Sequence, residues 1–322
     1  MNFSKFKIAV VIPSFKTENE IVSVLNGIPS FVRHIIVVDD ASPDSSADLV
    51  AAAAKRNRRI LLIRHEANQG VGGAMVTGFK KALELGAEIV IKLDGDGQMD
   101  PQYIPALITP LIAGEADYAK GNRFRDFASL QQMPLIRRVG NLGLSFLTKA
   151  ATGYWNIFDP TNGYFAIRTE LLKQLPLDKI DKSYYFETSM LSRLYLLGAV
   201  VQDVTIPARY RNEISSLSIR RVLFEFPYKL VNTFFRRMIL RYFIFDFSMM
   251  SIYLLTGIPL LLFGLIFGTI KWIQYAKIGI PAPTGTVILP TLAVILAIQI
   301  LLSAIEIDLH ATPRKAISKA LA

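Results

Sequence analysis

The chain has 322 residues, of which 52% are hydrophobic and 19% are charged, and its mean hydropathy is +0.36. This composition is too apolar for a typical soluble enzyme, and it excludes intrinsic disorder. Cysteine is absent, which excludes a disulfide scaffold, a thiolate metal site and a cysteine nucleophile.

The net charge of +10 is concentrated in the last third of the chain. Residues 1–208 carry 23 basic and 21 acidic side chains, whereas residues 209–322 carry 13 basic and 5 acidic ones. The positive charge therefore coincides with the most apolar region, which favours an anionic lipid surface as partner and argues against nucleic acid. The apolar run at 8–12 ends at Pro13 and is too short for a secretory signal, so we expect a cytoplasmic first domain.

Short apolar runs alternate with helical stretches over the first 93 residues. Near-continuous apolar strands alternating with helices predict a parallel α/β sheet covered on both faces. In such sheets, ligands bind at the carboxyl ends of the strands. The predicted strands are 8–12, 35–38, 60–63 and 89–93, and the predicted helices are 18–26, 45–56 and 72–85.

Polar residues follow three of these strands. Pro13 and Phe15 follow the first strand, Asp39 and Asp40 end the second, and the sequence DGDGQ at 94–98 follows the fourth. Its two aspartates and Gln98 offer only oxygen ligands, which suit Mg²⁺ or Mn²⁺ on a diphosphate better than zinc. An acidic structural turn is the alternative for this motif taken alone.

Other nucleotide and metal motifs fail on the residues themselves. An EF-hand starting at Asp94 would need glycine at Met99 and glutamate at Pro105. The segment GVGGAM at 70–75 has Met75 where a dinucleotide fingerprint needs glycine, and the Gly-Lys-Ser/Thr ending of a P-loop is missing. We expect these glycines to allow a close approach of the backbone to a ligand. The three histidines, His34, His65 and His310, are scattered and indicate no zinc site.

Two uncharged stretches, 247–270 and 278–305, exceed the roughly 20 apolar residues that a membrane-spanning helix needs. They predict a helical hairpin, with both ends on one side of the membrane and a short connection at 271–286. Upstream, basic residues recur among apolar ones at 220–241, and Pro227 divides the segment. This pattern favours helices lying in the membrane interface on the cytoplasmic side. The alternative is a solvated basic face on an ordinary helix.

A family resemblance emerges from the order of the motifs. VVIPSF, VVDDASPDSS, NQGVGGA and KLDGDGQMDP each follow a predicted strand, and GNRF, Arg137-Arg138, FDPTNGYFAIR and Phe186-Glu187 come later. The set resembles the inverting family-2 glycosyltransferases of the GT-A fold. With the hairpin, it is most similar to polyprenyl-phosphate glycosyltransferases, which include dolichyl-phosphate mannose synthases and bacterial undecaprenyl-phosphate glucosyltransferases. The resemblance covers nearly the whole chain.

The resemblance implies an α/β fold with a GT-A-type, mostly parallel sheet flanked by helices. Interfacial amphipathic helices and a two-helix transmembrane hairpin follow. The implied divisions are a cytoplasmic glycosyltransferase domain at 1–208, a juxtamembrane loop with interfacial helices at 209–245, the hairpin at 246–310 and a cytoplasmic tail at 311–322.

The resemblance also implies roles for the residues that match the motifs. The nucleotide sugar would be bound by Pro13, Phe15, Asp39, Asp40, Gly70, Asp94 and Asp96. Mg²⁺ or Mn²⁺ would be held by Asp94, Asp96 and Gln98. The acceptor phosphate would be met by Arg137, Arg138, Arg209, Arg211, Ser215 and Ser216. The implied catalytic set is Asp159, Asp96, Arg123 and Arg138.

The implied activity is inverting transfer of a hexose or N-acetylhexosamine to a polyprenyl phosphate, such as undecaprenyl phosphate, at the cytoplasmic membrane. A phosphate acceptor needs no strong base, so we expect Asp159 to orient a substrate more than to remove a proton. Membrane lipids and a homo-oligomer, such as a tetramer, are the other expected partners. Both termini are expected in the cytoplasm.

Alternatives remain for the activity and for several residues. A transferase acting on a sugar hydroxyl of a lipid-linked glycan, or a non-catalytic nucleotide-sugar-binding module, would share the donor motifs. Phe15-Lys16-Thr17 replaces the usual Tyr-Asn-Glu, which leaves the identity of the nucleotide undecided. The resemblance favours a UDP-linked sugar, and GDP-mannose is the second choice. The Gln-x-x-Arg-Trp motif of processive synthases is missing. Arg137-Arg138 could be a solvated pair, Glu187 a structural residue and Asp159 the start of a turn.

Overall fold

The computed structural model describes residues 2–123, 135–207 and 219–319. They divide into two compact units. The first unit is Met1–Phe234 with Pro313–Ala322, and the second is Phe235–Thr312. The division into four segments proposed from the sequence stays a prediction.

The described part of the first unit is built on a seven-stranded sheet in the order β3-β2-β1-β4-β6-β5-β7. All neighbours are parallel except β6, which runs antiparallel to both β4 and β5. The strands are β1 (Ile8–Ser14), β2 (His34–Asp39), β3 (Ile60–Arg64), β4 (Ile89–Lys92), β5 (Tyr118–Asn122), β6 (Phe165–Arg168) and β7 (Val201–Thr205). The predicted mostly parallel α/β sheet is confirmed.

Helices cover both faces of this sheet, which explains why β1, β2 and β3 are apolar along most of their length. In β1, Ala9 and Val11 join one buried cluster, whereas Ile8, Val10 and Ile12 join the other. Alternate side chains of a strand point to opposite faces, so a strand buried on both sides cannot alternate with polar residues. The longer helices beside this sheet are α1 (Ile21–Gly27), α2 (Ser46–Arg56), α3 (Gly70–Glu84), α4 (Ile104–Ile112), α5 (Leu135–Thr152) and α6 (Phe186–Leu197).

The antiparallel strand β6 brings a later part of the chain to the functional edge of the sheet. Phe165, at the start of β6, pairs with Lys92 near the end of β4 and with Lys120 in β5. Because β6 runs in the opposite direction, the loop that precedes it lies at the carboxyl ends of its neighbours. The FDPTNGY segment is therefore placed beside the strand ends of the first half.

The C-terminal segment also belongs to the first unit. The buried Asp117 carboxylate accepts backbone N–H groups from Val200 at 2.8 Å, Ile317 at 3.0 Å and Ser318 at 2.7 Å. Arg168 Nη2 donates to the carbonyl oxygen of Lys319 at 3.2 Å. The sequence analysis assigned no contacts to this tail, since nothing in its composition predicts a buried anchor.

A long helix, α7 (Ile219–Ile239), follows in the basic region. The expectation that Pro227 divides this region is wrong, since the helix continues through it. Proline removes one backbone hydrogen bond, but packing on both sides keeps the helix intact here. Phe226 packs edge-on against the ring of Tyr185, and Leu230 joins the same buried cluster as Tyr185. The placement of α7 in the membrane interface stays a prediction.

In the second unit, a π-helical segment at Leu240–Phe245 leads to α8 (Met249–Ile278) and α9 (Thr284–His310). Both helices are long and apolar enough to cross a membrane, by length and composition. The predicted connection at 271–286 is wrong in length, because α8 continues to Ile278 and α9 begins at Thr284. Lys271 ends the charge-free stretch without ending the helix; Gly279, with φ 73°, provides the left-handed residue that does.

A buried ion pair fixes the base of the hairpin within the second unit. Arg237 of α7 donates to both oxygens of Asp308 in α9, at 2.6 and 2.9 Å, and Tyr242 donates to the same carboxylate at 2.6 Å. Such a buried, bidentate pair is costly to break from either side. It therefore joins the end of α7 to the end of α9.

Candidate active site

A cleft of about 630 Å³ opens at the carboxyl edge of the sheet, beside β1, β2 and β4. Six residues predicted to bind a nucleotide sugar line it: Pro13, Phe15, Asp40, Gly70, Asp94 and Asp96. Asp39 and Gln98 are not among the described residues that line it. Several other residues also line the cleft and were not predicted from the sequence, among them Lys92, Ser183, Tyr184, Tyr185, Glu225, Phe226 and Lys229.

Asp40 ties the end of β2 to the start of α3. Its Oδ1 accepts the Gln69 backbone N–H at 2.8 Å and lies 2.7 Å from His65 Nδ1, while its Oδ2 accepts the Gly70 backbone N–H at 2.8 Å. The carboxylate thus has internal partners, and its expected contact with a base stays a prediction. Asp39 is buried, its Oδ2 lies 3.9 Å from Arg64 Nε, and burial raises its pKa.

The glycines at the start of α3 make room for another part of the protein, and the expected approach of this backbone to a ligand stays a prediction. A Cβ at Gly70 would lie 2.4 Å from the Lys182 carbonyl oxygen, and one at Gly72 would lie 2.2 Å from that of Asp181. The Gly72 N–H donates to the Lys182 carbonyl at 2.9 Å. The loop before α6 therefore occupies the space that these glycines leave, although Gly70 still lines the cleft.

The acidic loop after β4 presents its two aspartates to the cleft. Asp94 Oδ1 is 2.7 Å from Lys92 Nζ, and Asp96 Oδ1 accepts the Gln98 backbone N–H at 3.0 Å. Gly97, with φ 73°, allows this tight turn. Within the described ranges, no three acidic or histidine side chains form a complete metal cage. Two carboxylates nevertheless fit Mg²⁺ or Mn²⁺, which are commonly held by one or two carboxylates and completed by substrate phosphates.

Lys92 lies beneath this loop and is almost completely buried. Its Nζ also lies 3.4 Å from Glu187 Oε1, at the start of α6. Burial by itself would lower the pKa of Lys92, but the charges of Asp94 and Glu187 outweigh it and raise the pKa above its usual value. The ammonium therefore stays charged.

Arg123 and Asp159 form a second charged group, and neither is among the described residues that line the cleft. Arg123 donates from Nε at 2.8 Å, from Nη2 at 3.1 Å and from its backbone N–H at 3.2 Å to the Asp159 carboxylate. Burial would raise the pKa of Asp159, but the Arg123 guanidinium outweighs it and holds the pKa below its usual value. Lys120 donates to the Asp159 carbonyl oxygen, and burial lowers its pKa to about 8.

One wall of the cleft comes from α7 and the loop that precedes α6. Lys229 Nζ contacts Asp181 Oδ2 at 2.7 Å, and the Tyr185 hydroxyl contacts Thr233 Oγ1 at 2.9 Å. The sequence pattern predicts this helix at the membrane surface and does not indicate that it contributes to the cleft. The pattern that could have indicated this contribution is the presence of polar residues, such as Lys229 and Thr233, on the apolar side of α7.

Several predicted acceptor residues lie outside the described part of the chain. They are Arg209, Arg211, Ser215 and Ser216, together with the side chains of Arg137 and Arg138. Their proposed contacts with the acceptor phosphate stay predictions.

Comparison with known proteins identifies several relatives of this chain. The profile of the family described as Glycosyl transferase family 2 matches residues 9–176. A UDP-N-acetylglucosamine–dolichyl-phosphate N-acetylglucosaminyltransferase of Methanococcus voltae is 36% identical over 181 residues, covering 52% of this chain and 72% of the relative. An undecaprenyl-phosphate mannosyltransferase of Micrococcus luteus is 31% identical over 173 residues, covering 53% of this chain and 70% of that protein.

A solved structure shares the fold. The glucosyl-3-phosphoglycerate synthase of Mycobacterium tuberculosis, in complex with Mn²⁺, UDP-glucose and phosphoglyceric acid, aligns with a TM-score of 0.54 and 20% identity. The alignment covers 72% of this chain and 79% of the synthase. At this identity, the likeness concerns the architecture of the sheet and its helices.

Proposed function

The chain belongs to glycosyl transferase family 2, and from this we propose that it transfers a sugar from a nucleotide sugar to the phosphate of a polyprenyl phosphate. The observation that carries the proposal is the acidic loop of Asp94 and Asp96, which opens onto a cleft walled by α7. The same chain carries two helices long enough to cross a membrane. The printed names of the Methanococcus and Micrococcus relatives support a polyprenyl-phosphate acceptor.

The donor occupies this cleft. Pro13 and the half-exposed ring of Phe15, which line the cleft, pack against the nucleotide base. Asp94 and Asp96 would hold Mg²⁺ or Mn²⁺ with help from Gln98. The cation, when bound, neutralises the diphosphate leaving group. UDP-linked glucose or N-acetylhexosamine is the favoured donor, and GDP-mannose is the second choice.

The phosphate group of the acceptor is itself the nucleophile. A phosphate monoester with a second pKa near 6 is largely dianionic at pH 7, so attack needs no strong base. Asp159 is paired with Arg123 and holds that guanidinium in place, and Arg123 meets a phosphate together with Arg137 and Arg138. In-line attack at the anomeric carbon inverts its configuration.

The catalytic unit lies on the cytoplasmic side of the membrane, with both termini on that side. The support is the contact of Asp117 with Ile317 and Ser318, which returns the chain after α9 to the unit that precedes α8. The basic residues of α7 attract anionic lipid headgroups and the acceptor. A homo-oligomer, such as a tetramer, would add spanning helices to the two of each chain.

The experiment uses full-length protein in detergent with Mn²⁺ and undecaprenyl phosphate. Radiolabelled UDP-glucose, UDP-N-acetylglucosamine and GDP-mannose are offered separately, and label is counted in the organic phase. We expect label from one donor, lost in Asp96→Ala. If no donor gives labelled lipid while nucleotide still binds, the phosphate acceptor is wrong.

A further inference from the structure

Lys92 is a cation placed where a cation is costly. It ends β4, two residues before Asp94, and its side chain is only 2% exposed. A buried ammonium is tolerated when charged partners compensate for the water it has lost. Here the partners are Asp94 Oδ1 at 2.7 Å and Glu187 Oε1 at 3.4 Å.

The space for this ammonium is built by a third element. Gly163 lies in the loop before β6, and a Cβ there would stand 2.4 Å from Lys92 Nζ and 3.0 Å from Glu187 Oε1. The end of β4, the start of α6 and this loop thus enclose one charged group. Lys92, Glu187 and Gly163 thus come from three separate parts of the sequence and form one close-packed contact.

The burial of Lys92 determines how it can act. Lys92 and Asp94 both line the cleft, but the side chain of Lys92 is only 2% exposed while that of Asp94 is 29% exposed, so Asp94 offers far more surface to a donor. The contact with Lys92 engages Oδ1 of Asp94, which leaves Oδ2 to bind a ligand. The ammonium also offsets one of the two negative charges of Asp94 and Glu187, which weakens their repulsion of a diphosphate.

We propose that Lys92 is a positioning residue of the donor site: anchored by Glu187 in the space left by Gly163, it presents one oxygen of Asp94 to the cation and the donor diphosphate. This inference rests on the proposed function, since it presupposes a donor that carries a diphosphate.

The test measures binding and not turnover. Full-length protein in detergent is titrated with Mn²⁺ in the presence of UDP, or of GDP if that nucleotide binds, and free Mn²⁺ is read by electron paramagnetic resonance. Residues that orient a metal ligand typically contribute 10–100-fold to metal affinity, so we expect Lys92→Met to weaken binding by about that factor. Lys80→Met, at an exposed lysine paired with Asp178, is the matched control and should bind as the wild type does.

Gly163→Ala perturbs the contact between Lys92 and Asp94 without changing either residue. Its added methyl group displaces Lys92 Nζ without removing the charge, and we expect binding to weaken about 10-fold. If Lys92→Met fails to show a cooperative thermal transition, Gly163→Ala carries the test alone. Wild-type affinity in a folded Lys92→Met or in Gly163→Ala would overturn the proposal.

A double-mutant cycle separates positioning from a general structural role. In an Asp94→Asn background, Lys92→Met should weaken binding by less than about 2-fold, because the residue through which it acts has already been changed. An equal loss in both backgrounds would overturn the positioning role.

The proposed function is tested separately by lipid labelling. Labelled lipid from the wild type, with unchanged Mn²⁺ binding in Lys92→Met, would refute this inference alone. Wild-type binding of Mn²⁺ and nucleotide without labelled lipid would refute the acceptor assignment alone. Absence of any Mn²⁺–nucleotide binding by the wild type would refute both.

Discussion

Asp94 and Asp159 lie at the same edge of the sheet in opposite circumstances. Asp94 has a lysine on its buried side and is 29% exposed on the other, whereas Asp159 is completely buried and its carboxylate is engaged by Arg123. Asp94 therefore has one carboxylate oxygen available to a ligand in the cleft, whereas the carboxylate of Asp159 binds the guanidinium of Arg123. An acidic residue in a functional motif is therefore not a general base by default.

The largest expected effect is at the carboxylate that faces the cleft. Asp94→Asn removes the charge that holds the cation, and a cation contributes several kcal/mol of transition-state stabilisation. We expect sugar transfer to fall about 1000-fold, which corresponds to about 4 kcal/mol. The thermal midpoint should also fall, because the buried Lys92 loses its nearest charged partner. Initial rates of lipid labelling at saturating Mn²⁺ measure the fall in transfer; wild-type rates would remove Asp94 from the donor site.

Among the proposed variants, those at the ion pair of Arg123 and Asp159 should lower the free energy of unfolding most. Arg123→Met leaves Asp159 charged and completely buried, and breaking such a pair costs about 3 kcal/mol or more. Asp159→Asn should cost less, because Arg123 is 39% exposed and water can solvate it. Thermal unfolding of both variants in one detergent compares them. A more stable Arg123→Met would contradict the described geometry.

Activity should respond more moderately to Asp159→Asn. The variant keeps the shape of the side chain but holds Arg123 less well, so we expect a loss of about 10–100-fold in kcat. The pH dependence of kcat should keep its shape, because no proton passes through this residue. Loss of an ionisation from the pH–rate profile would identify Asp159 as a base instead.

The smallest expected effect comes from Lys120, next to this pair. Burial lowers its pKa from 10.5 to about 8, so the unfolded chain binds more protons than the folded one between these values. Stability should therefore rise with pH above about 8, by about 1 kcal/mol for each pH unit. Lys120→Met lacks this ionisation, and the difference in thermal midpoint between wild type and variant should shift in favour of the wild type from pH 8 to pH 10. A constant difference would contradict the lowered pKa.

The first half of the sheet could be predicted because its strands are buried on both faces. Their apolar runs end abruptly in polar residues, and the observed strands exceed the predicted ones by no more than two residues at any end. Strand β5 has no such pattern, since Lys120 and Asn122 lie within it and are buried through specific partners. The reversal at β6 follows from the packing of the whole sheet.

The candidate site likewise has residues that could be predicted from the sequence and residues that could not. Asp94 and Asp96 could be predicted because two acids and two glycines at a strand end form a local pattern. The pairing of Lys92 with Glu187 joins residues far apart in the sequence, and neither has a local pattern that indicates the other. The glycines of α3 were recognised as sites of close approach, but only the fold identifies the backbone at 181–182 as their neighbour.

One measurement tests the central claim, that a phosphate is the nucleophile and Asp159 is not a base. Wild-type protein is given the labelled donor with either undecaprenyl phosphate or undecaprenol, and the initial rates are compared. The account predicts labelled lipid from the phosphate and none above background from the alcohol, which would need a base to attack. Comparable rates from undecaprenol would contradict it and would make the paired carboxylate of Asp159 a base after all.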